Sequence, residues 1–384
     1  MSSSAPPTIL FAGGGSGGHI FPNLAVIERL RRAGMAFTPH LLVSSRPLDA
    51  KVAREAKVAY TAVPAAPLAL KPAAALRFVR GYRAGRAAVA AVIEQTNAQA
   101  LLATGGFVSA PAVAAAKRAG LPVALVNLDA AAGRANRRAA AMADAVFNAT
   151  PPHPGARSLA NAQVVGYPLR RSARPREGKA EARKRLGLDP SKRTLLVFAG
   201  SQGAQTINRA LLALLRGSGK GLLSGTQVLH LTGGGDSAAA DRAALEEAYR
   251  EAHVPAVVRP FCNAMGEAWA AADLALTRAG AGTVAEAWAN AVPCVMLPYP
   301  YHRDEHQKFN AAPLVVMGGA VVEGDMIEPE ANVEMLRKVL GRLLKDEAQR
   351  SSMQRALREN PPKDGAKHLA AWVANAAKLS AKET

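Results

Sequence analysis

At 384 residues, with 49% hydrophobic, 20% charged and 5% aromatic side chains, the chain is globular in make-up and long enough for two domains. Two cysteines, Cys262 and Cys294, exclude a disulfide framework and lack zinc-site spacing, so a reducing, cytoplasmic compartment is expected. The formal net charge is +19, of which residues 1–170 carry +13, a field that favours phosphate-rich partners: nucleic acid, anionic lipid head groups or diphosphate substrates.

In chain order, residues 2–7 read as a disordered lead-in without the basic start and apolar core of a secretory signal. Residues 8–12 form an apolar run suited to a buried parallel strand, and glycines then open a helix predicted near residues 22–32. The same strand, Gly-rich turn and helix pattern recurs at residues 101–103 before Thr104-Gly105-Gly106, and at 194–199 before Gly200-Ser201-Gln202-Gly203. Apolar runs at 123–126, 228–231, 274–276 and 294–297 alternate with Ala-rich helical stretches. Such alternation predicts an α/β fold of parallel sheets covered on both faces by helices. The stretch 95–116 is interrupted by Gln, Asn, Thr, Gly and Pro and fails as a bilayer span.

Two glycine-flanked strands of similar sequence predict two doubly wound domains in tandem, with a linker near Gly166-Tyr167-Pro168-Leu169-Arg170. In such folds ligands bind outside the carboxyl ends of the strands, so the active site is expected in the cleft between domains.

Gly13-Gly14-Gly15-Ser16-Gly17-Gly18 satisfies the G-x-G-x-x-G pattern, in which glycine lets backbone N–H groups approach a phosphate at a helix N-terminus. An NAD site would want an acidic residue ending the second strand, whereas Leu41-Leu42-Val43-Ser44-Ser45-Arg46 offers serines and an arginine, which disfavours NAD and leaves NADP as an alternative. The absence of a Gly-Lys-Ser/Thr ending excludes a P-loop kinase. His19 follows the glycines, where its imidazole either projects into the site or serves as a capping or buried group. Gly200-Ser201-Gln202-Gly203-Ala204 repeats the anion-binding pattern, with a plain strand-to-helix turn as the alternative.

Arg278 begins a stretch of small residues, Ala279 to Ala285, that lets backbone approach a ligand. Within it Thr283 offers a hydroxyl, and Glu286 is placed to accept hydrogen bonds from a ribose diol or simply to favour a helix start. The loop from Pro298 through His302, Asp304, His306 and Gln307 to Ala311 reads as sugar recognition or, through its histidines and aspartate, as a metal site without a completing cluster.

Taken in order over residues 8–370, these segments, with Gly105-Gly106-Phe107-Val108-Ser109 and residues 304–311, resemble the MurG family of N-acetylglucosaminyltransferases. The resemblance implies a GT-B fold of two Rossmann-like domains, 8–168 and 169–366, with a helix at 367–378 returning to the first. It also implies transfer from UDP-N-acetylglucosamine to the C4 hydroxyl of an undecaprenyl-pyrophosphoryl muramoyl pentapeptide, with inversion and with no cofactor or metal. Carried over by motif, Ser16, Gly17 and Gly18 line the diphosphate side and His19 the reacting centre, as base or its orienter. Arg170, Ser201, Cys262 by its backbone, Ala281, Gly282, Thr283, Val284, Ala285, Glu286 and Gln307 hold the UDP-sugar.

Where the family usually has His-Glu-Gln-Asn, this chain has Val126-Asn127-Leu128-Asp129, followed by the fitting Gly133 and Asn136, and Tyr167 replaces the usual asparagine. Asp129 is expected to take over polar contacts made by asparagine, its charge offset by Arg134, Arg137 or Arg138. Basic residues from Lys71 to Arg86 among Leu68, Leu70, Leu76 and Val79 predict binding to the anionic inner face of the cell membrane. Alternatives are a glycosyltransferase with another lipid acceptor, a UDP-sugar epimerase, or a nucleic-acid-binding protein. With 18 aromatics and no basic-aromatic stripe, nucleic acid is not an expected partner.

Overall fold

The computed structural model describes residues 5–381 except 16, 67–71, 158, 160, 199, 201–204, 218, 235–237 and 302–304. The chain divides into two compact units, residues 1–170 with 363–384, and residues 171–362. The divisions fall two residues after and four residues before the expected 168/169 and 366/367.

In the first unit the apolar run becomes β1 (Thr8–Ala12), buried along its whole length. Successive side chains of a strand point to opposite faces: Ile9 and Phe11 enter one core layer, Leu10 and Ala12 the other. Chain order continues through α1 (Gly17–Arg32), β2 (Thr38–Ser44), α2 (Pro47–Glu55), β3 (Ala59–Val63) and α3 (Pro72–Thr96). It proceeds through β4 (Ala98–Ala103), α4 (Ser109–Arg118), β5 (Val123–Asn127), α5 (Arg134–Ala140), β6 (Ala145–Asn148) and β7 (Gln163–Val164). The strands form one sheet in the order β3-β2-β1-β4-β5-β6-β7, every pair parallel.

The second unit runs α6 (Lys179–Leu186), β8 (Arg193–Phe198), α7 (Gln205–Arg216), β9 (Thr226–Leu231), α8 (Ala238–Glu251), β10 (Ala256–Arg259) and α9 (Met265–Ala271). It ends with β11 (Leu274–Thr277), α10 (Ala281–Ala289), β12 (Cys294–Met296), α11 (His306–Val316), β13 (Ala320–Val322), α12 (Pro329–Lys345) and α13 (Glu347–Glu359). Its parallel sheet has the order β10-β9-β8-β11-β12-β13, with Leu195 and Val197 in one layer and Leu196 and Phe198 in the other. The final helix α14 (Gly365–Ala376) packs Leu369, Ala370 and Val373 into the first unit's core beside α1.

In each unit strand order reverses beside the first strand, at β2-β1-β4 and at β9-β8-β11. A crevice at the carboxyl ends of such strands is where doubly wound sheets bind ligands, and both glycine-rich turns begin there.

One local expectation changes. α1 starts at Gly17 rather than near Pro22, which lies inside the helix. Proline supplies no N–H for the carbonyl four residues back; here the Tyr167 hydroxyl donates to that carbonyl, Gly18 O, at 3.1 Å. Within α3, Gly81 and Gly85 are where the helix approaches the chain after β3. A Cβ would lie 3.3 Å from Ala66 N at Gly81 and 3.0 Å from Pro64 O at Gly85.

Candidate functional site

In the first unit the glycine turn is seated on the switch point. Gly13 N donates to Leu42 O at 3.0 Å and Thr104 N to Ala12 O at 2.8 Å, tying the turn to β2 and the loop after β4 to β1. A Cβ on Gly13 would stand 2.4 Å from both His19 O and Thr104 Oγ1, so glycine is required by close approach.

His19 occupies the first turn of α1, half-buried, with Nδ1 3.0 Å from Thr104 O. A carbonyl only accepts, so Nδ1 carries the hydrogen and Nε2 of the neutral ring is left with its lone pair. Thr104 also donates its hydroxyl to His19 O at 2.6 Å. Gly105 and Gly106, at φ +96° and +78°, lie beside the ring, where a Cβ on either would be 3.3 Å from Cε1 or Cδ2. The tighter limits on this pair come from Gly14 O, 2.5 Å from where a Gly106 Cβ would stand, and from the Asn136 amide, 3.0 Å from that of Gly105; the His19–Thr104 contact presents one oriented ring nitrogen able to take a proton. Gly18 is exposed beside it, and Gly17 starts the helix; Ser16 lies outside the described residues.

The altered loop after β5 is held by a network of side-chain amides. Asn127 is buried, donating to Asp129 O at 2.7 Å and Asn148 Oδ1 at 3.2 Å, and accepting from Asn136 Nδ2 at 3.0 Å. Asn148 in turn donates to Leu159 O at 2.8 Å. This closed amide network holds the loop, so Asn127 is internal. Asp129 stands half-buried in the bend that follows. Of the arginines expected to offset it, Arg137 donates to Ala132 O, while Arg134 and Arg138 are exposed. Replacing Asn127 by Glu would bury an acceptor-only group against Asn148 Oδ1. We expect Asn127→Glu to lower unfolding free energy by about 1–3 kcal/mol in urea titrations, whereas Asp129→Asn leaves stability within about 0.5 kcal/mol.

Arg170 closes the first unit. Its Nε donates to Glu28 Oε1 at 2.7 Å and its guanidinium lies 5.9 Å from the Phe21 ring centroid, so it is tied to α1, whose first turn holds His19.

In the second unit Gly200 follows β8 with φ +80°, and Ser201 lies outside the described residues. α10 begins after Gly280, which supplies no side-chain cap, so the helix's leading N–H groups have no capping side chain. Helical spacing divides the expected contact stretch. Ala281, Val284 and Ala285 are buried and have only backbone to offer, whereas Gly282, Thr283 and Glu286 are partly exposed. Glu286 Oε2 accepts from Trp269 Nε1 at 2.8 Å. Burial pushes its carboxyl up to about 7, against the opposite pull of that hydrogen bond.

Cys262 is half-buried in the loop after β10, and burial pushes its thiol up, away from thiolate chemistry. That leaves its backbone as the useful part. Gln307, in the first turn of α11, accepts from Tyr299 N at 2.9 Å and so braces the loop that leaves β12. Of the metal reading, His302 and Asp304 lie outside the described residues; among the described residues no group of three or more His, Cys, Asp or Glu could hold a metal ion.

Sequence reasoning missed what organises this unit. Buried Arg278 donates to Leu297 O at 2.9 Å, Pro298 O at 3.1 Å and Thr206 Oγ1 at 2.6 Å, and pairs with Asp325 at 2.6 Å. Asp325 also accepts from Thr206 at 2.5 Å, Asn332 at 2.9 Å and Ile327 N at 2.8 Å. Burial raises the Asp325 carboxyl, but these hydrogen bonds and Arg278 outweigh it and hold the group below the ordinary range. The ends of β11 and β12, the start of α7 and the turn before α12 are thereby fixed to one another. The only sequence signal was an arginine directly after an apolar strand.

Comparisons with known proteins give the chain's family and fold. The glycosyltransferase family 28 N-terminal domain matches residues 9–148, and the family 28 C-terminal domain matches residues 194–369. A protein of Nocardioides sp. named UDP-N-acetylglucosamine--N-acetylmuramyl-(pentapeptide) pyrophosphoryl-undecaprenol N-acetylglucosamine transferase is 37% identical over 83% of this chain and 84% of its own. An identically named protein of Acidothermus cellulolyticus is 35% identical over 96% of this chain and 98% of its own. The crystal structure of Acinetobacter baumannii MurG superposes with a TM-score of 0.71 at 23% identity, over 96% of this chain and 99% of that one. At that identity the last likeness speaks for the fold: two Rossmann-like α/β units of the GT-B kind.

Proposed function

The chain belongs to glycosyltransferase family 28, and from that membership we propose that it transfers N-acetylglucosamine from UDP-N-acetylglucosamine to undecaprenyl-pyrophosphoryl-N-acetylmuramoyl pentapeptide. The reaction belongs to peptidoglycan synthesis and so serves cell-wall growth, shape and division. The acceptor's C4 hydroxyl oxygen attacks the anomeric carbon, the bond from that carbon to the diphosphate breaks with inversion, and UDP leaves with the electron pair.

The observation that carries the chemistry is the His19–Thr104 contact at 3.0 Å. It holds the imidazole in the tautomer whose Nε2 takes the hydroxyl proton as the new bond forms. The uncapped start of α10 offers N–H groups to the charge developing on the leaving diphosphate. Glu286 accepts from the ribose hydroxyls, with Thr283 and Gln307 as further donor-sugar contacts. Both substrates supply all the atoms exchanged, so the balance needs no group-carrying cofactor.

The test is transfer of radiolabelled N-acetylglucosamine from UDP to a panel of lipid-linked acceptors. We expect the muramoyl pentapeptide lipid to be labelled; labelling only of a diacylglycerol or a lipid A precursor would replace the acceptor, and no transfer at all would remove the reading. Asp129→Asn belongs in the same assay, since a change in acceptor preference places that loop at the acceptor and unchanged turnover takes it out.

The acceptor's lipid tail requires access to a membrane, and no described helix is long and apolar enough to cross one. Leu76 and Val79 on α3 are 52% and 43% exposed among exposed Arg77, Arg80, Arg83 and Arg86. Lys71, Leu68 and Leu70, also expected in this patch, lie outside the described residues. We read it as a peripheral contact with anionic lipid at the cytoplasmic face. Each arginine near such a surface contributes about 1 kcal/mol, so Arg77→Gln with Arg80→Gln should cut binding to anionic vesicles by about 30-fold. Co-sedimentation that is insensitive to salt, or equal on neutral vesicles, would count against the contact.

A further inference from the structure

An acidic residue is missing from the end of the second strand, but one lies nearby in an unexpected role. Asp49, in the first turn of α2, is fully buried. Its Oδ2 accepts from Gly15 N at 2.8 Å, from Ser44 N at 3.2 Å and from the Ser44 hydroxyl at 2.5 Å. Its Oδ1 is buried and has no hydrogen-bond partner among the described residues. A carboxylate in this region of a dinucleotide-binding domain serves a ribose diol; here it is used on the protein's own glycine turn.

The other side of the same residue is held as well. Arg46, exposed after β2, donates to Gly15 O and lies 5.8 Å from the Phe107 ring centroid. Phe107 itself lies against Gly15, where a Cβ would come within 2.5 Å of the ring at a φ of +95°. Gly15 is thus fixed by Asp49 at its N–H, by Arg46 at its carbonyl and by Phe107 on its face. With its N–H committed to a carboxylate, Gly15 cannot offer it to a phosphate, contrary to the simplest expectation for a G-x-G-x-x-G turn. Its part is to set the direction in which the chain enters α1, four residues before His19.

We propose that Asp49 and Arg46 are positioning residues for the transfer reaction, which clamp Gly15 so that the start of α1 and His19 meet the acceptor in the reactive orientation. This rests on the glycosyltransferase reading above. Because only Oδ2 is engaged, the role needs one acceptor oxygen and not a full carboxylate. Asp49→Asn, with its carbonyl in the Oδ2 place, should keep acceptor kcat/KM within about threefold, whereas Asp49→Ala should lose tenfold or more. Arg46→Gln, at an exposed position that leaves folding intact, should lose several-fold in the same parameter.

The KM for UDP-N-acetylglucosamine and calorimetric UDP affinity should be unchanged in all three. Val52→Ala, which removes buried packing from the same helix, is the control: an equal fall in Tm without loss of acceptor kcat/KM separates positioning from stability. Asp49→Ala with parental acceptor kinetics, Asp49→Asn as poor as Asp49→Ala, or an equal effect of Val52→Ala would each overturn the role of Asp49. Parental kinetics in Arg46→Gln would remove Arg46 from the clamp. Failure of the glycosyltransferase reading would look different, because the parent enzyme would transfer nothing.

Discussion

His19→Ala lowers turnover at saturating substrates by about 100- to 10,000-fold while UDP affinity stays at the parental value, measured by single-turnover transfer and by calorimetry. The size is that of a group moving a proton in the transition state. The split between rate and binding follows because such a group is engaged only as the hydroxyl attacks, so its loss falls on kcat and not on ground-state donor binding. The ring's surroundings make alanine a clean probe. Its backbone carbonyl stays with the Thr104 hydroxyl, and alanine favours the helix that starts there. An unchanged rate would reduce His19 to a structural residue packed on Gly105 and Gly106.

Glu286→Ala weakens UDP binding by about 1–3 kcal/mol, or roughly 5- to 150-fold, because buried ribose hydroxyls lose their acceptor. The carboxyl also gives binding a pH signature. With its pKa pushed up to about 7 by burial, Glu286 is protonated below that pH and ionised above it. Only the ionised form accepts from both hydroxyls without donating. Parental affinity therefore rises with pH through 7, at most about tenfold per unit below it, and levels off above. Comparing parent with Glu286→Ala at each pH cancels the titration of the diphosphate itself. Equal affinity of the two proteins for UDP at pH 8, or an identical pH dependence, would remove Glu286 from the ribose site.

Much of this protein is legible in its sequence, for a definite reason. Parallel strands covered on both faces read as near-continuous apolar runs, so residues 9–12 of β1 and 195–198 of β8 stand out as short hydrophobic stretches. The turns that follow must bring backbone close to other atoms, so they stand out as glycine. Strand, glycine turn and helix, twice over, define the two doubly wound units, and the ordered motifs define the family. His19 beside the first turn and Glu286 in α10, the residues proposed for proton transfer and ribose binding, are singled out because each lies within a few residues of those signals.

What the tertiary structure alone decided depends on partners distant along the chain. Tyr167 reaches Gly18 O across 149 residues and so allows α1 to begin before Pro22. Asp49 captures Gly15 N across 34 residues, and Arg278 finds Asp325 two strands later. Asn127, which by position alone would belong to a ligand-facing loop, turns inward because Asn136 and Asn148 are there to meet it. Burial divides the expected contact stretch in the same way, since the rotation of α10 sends Val284 and Ala285 into the core and leaves Thr283 and Glu286 partly buried. Sequence periodicity records which faces are apolar. It does not record which polar group will be standing opposite when those faces come together, and a buried donor or acceptor is stabilised only by a partner at hydrogen-bond distance.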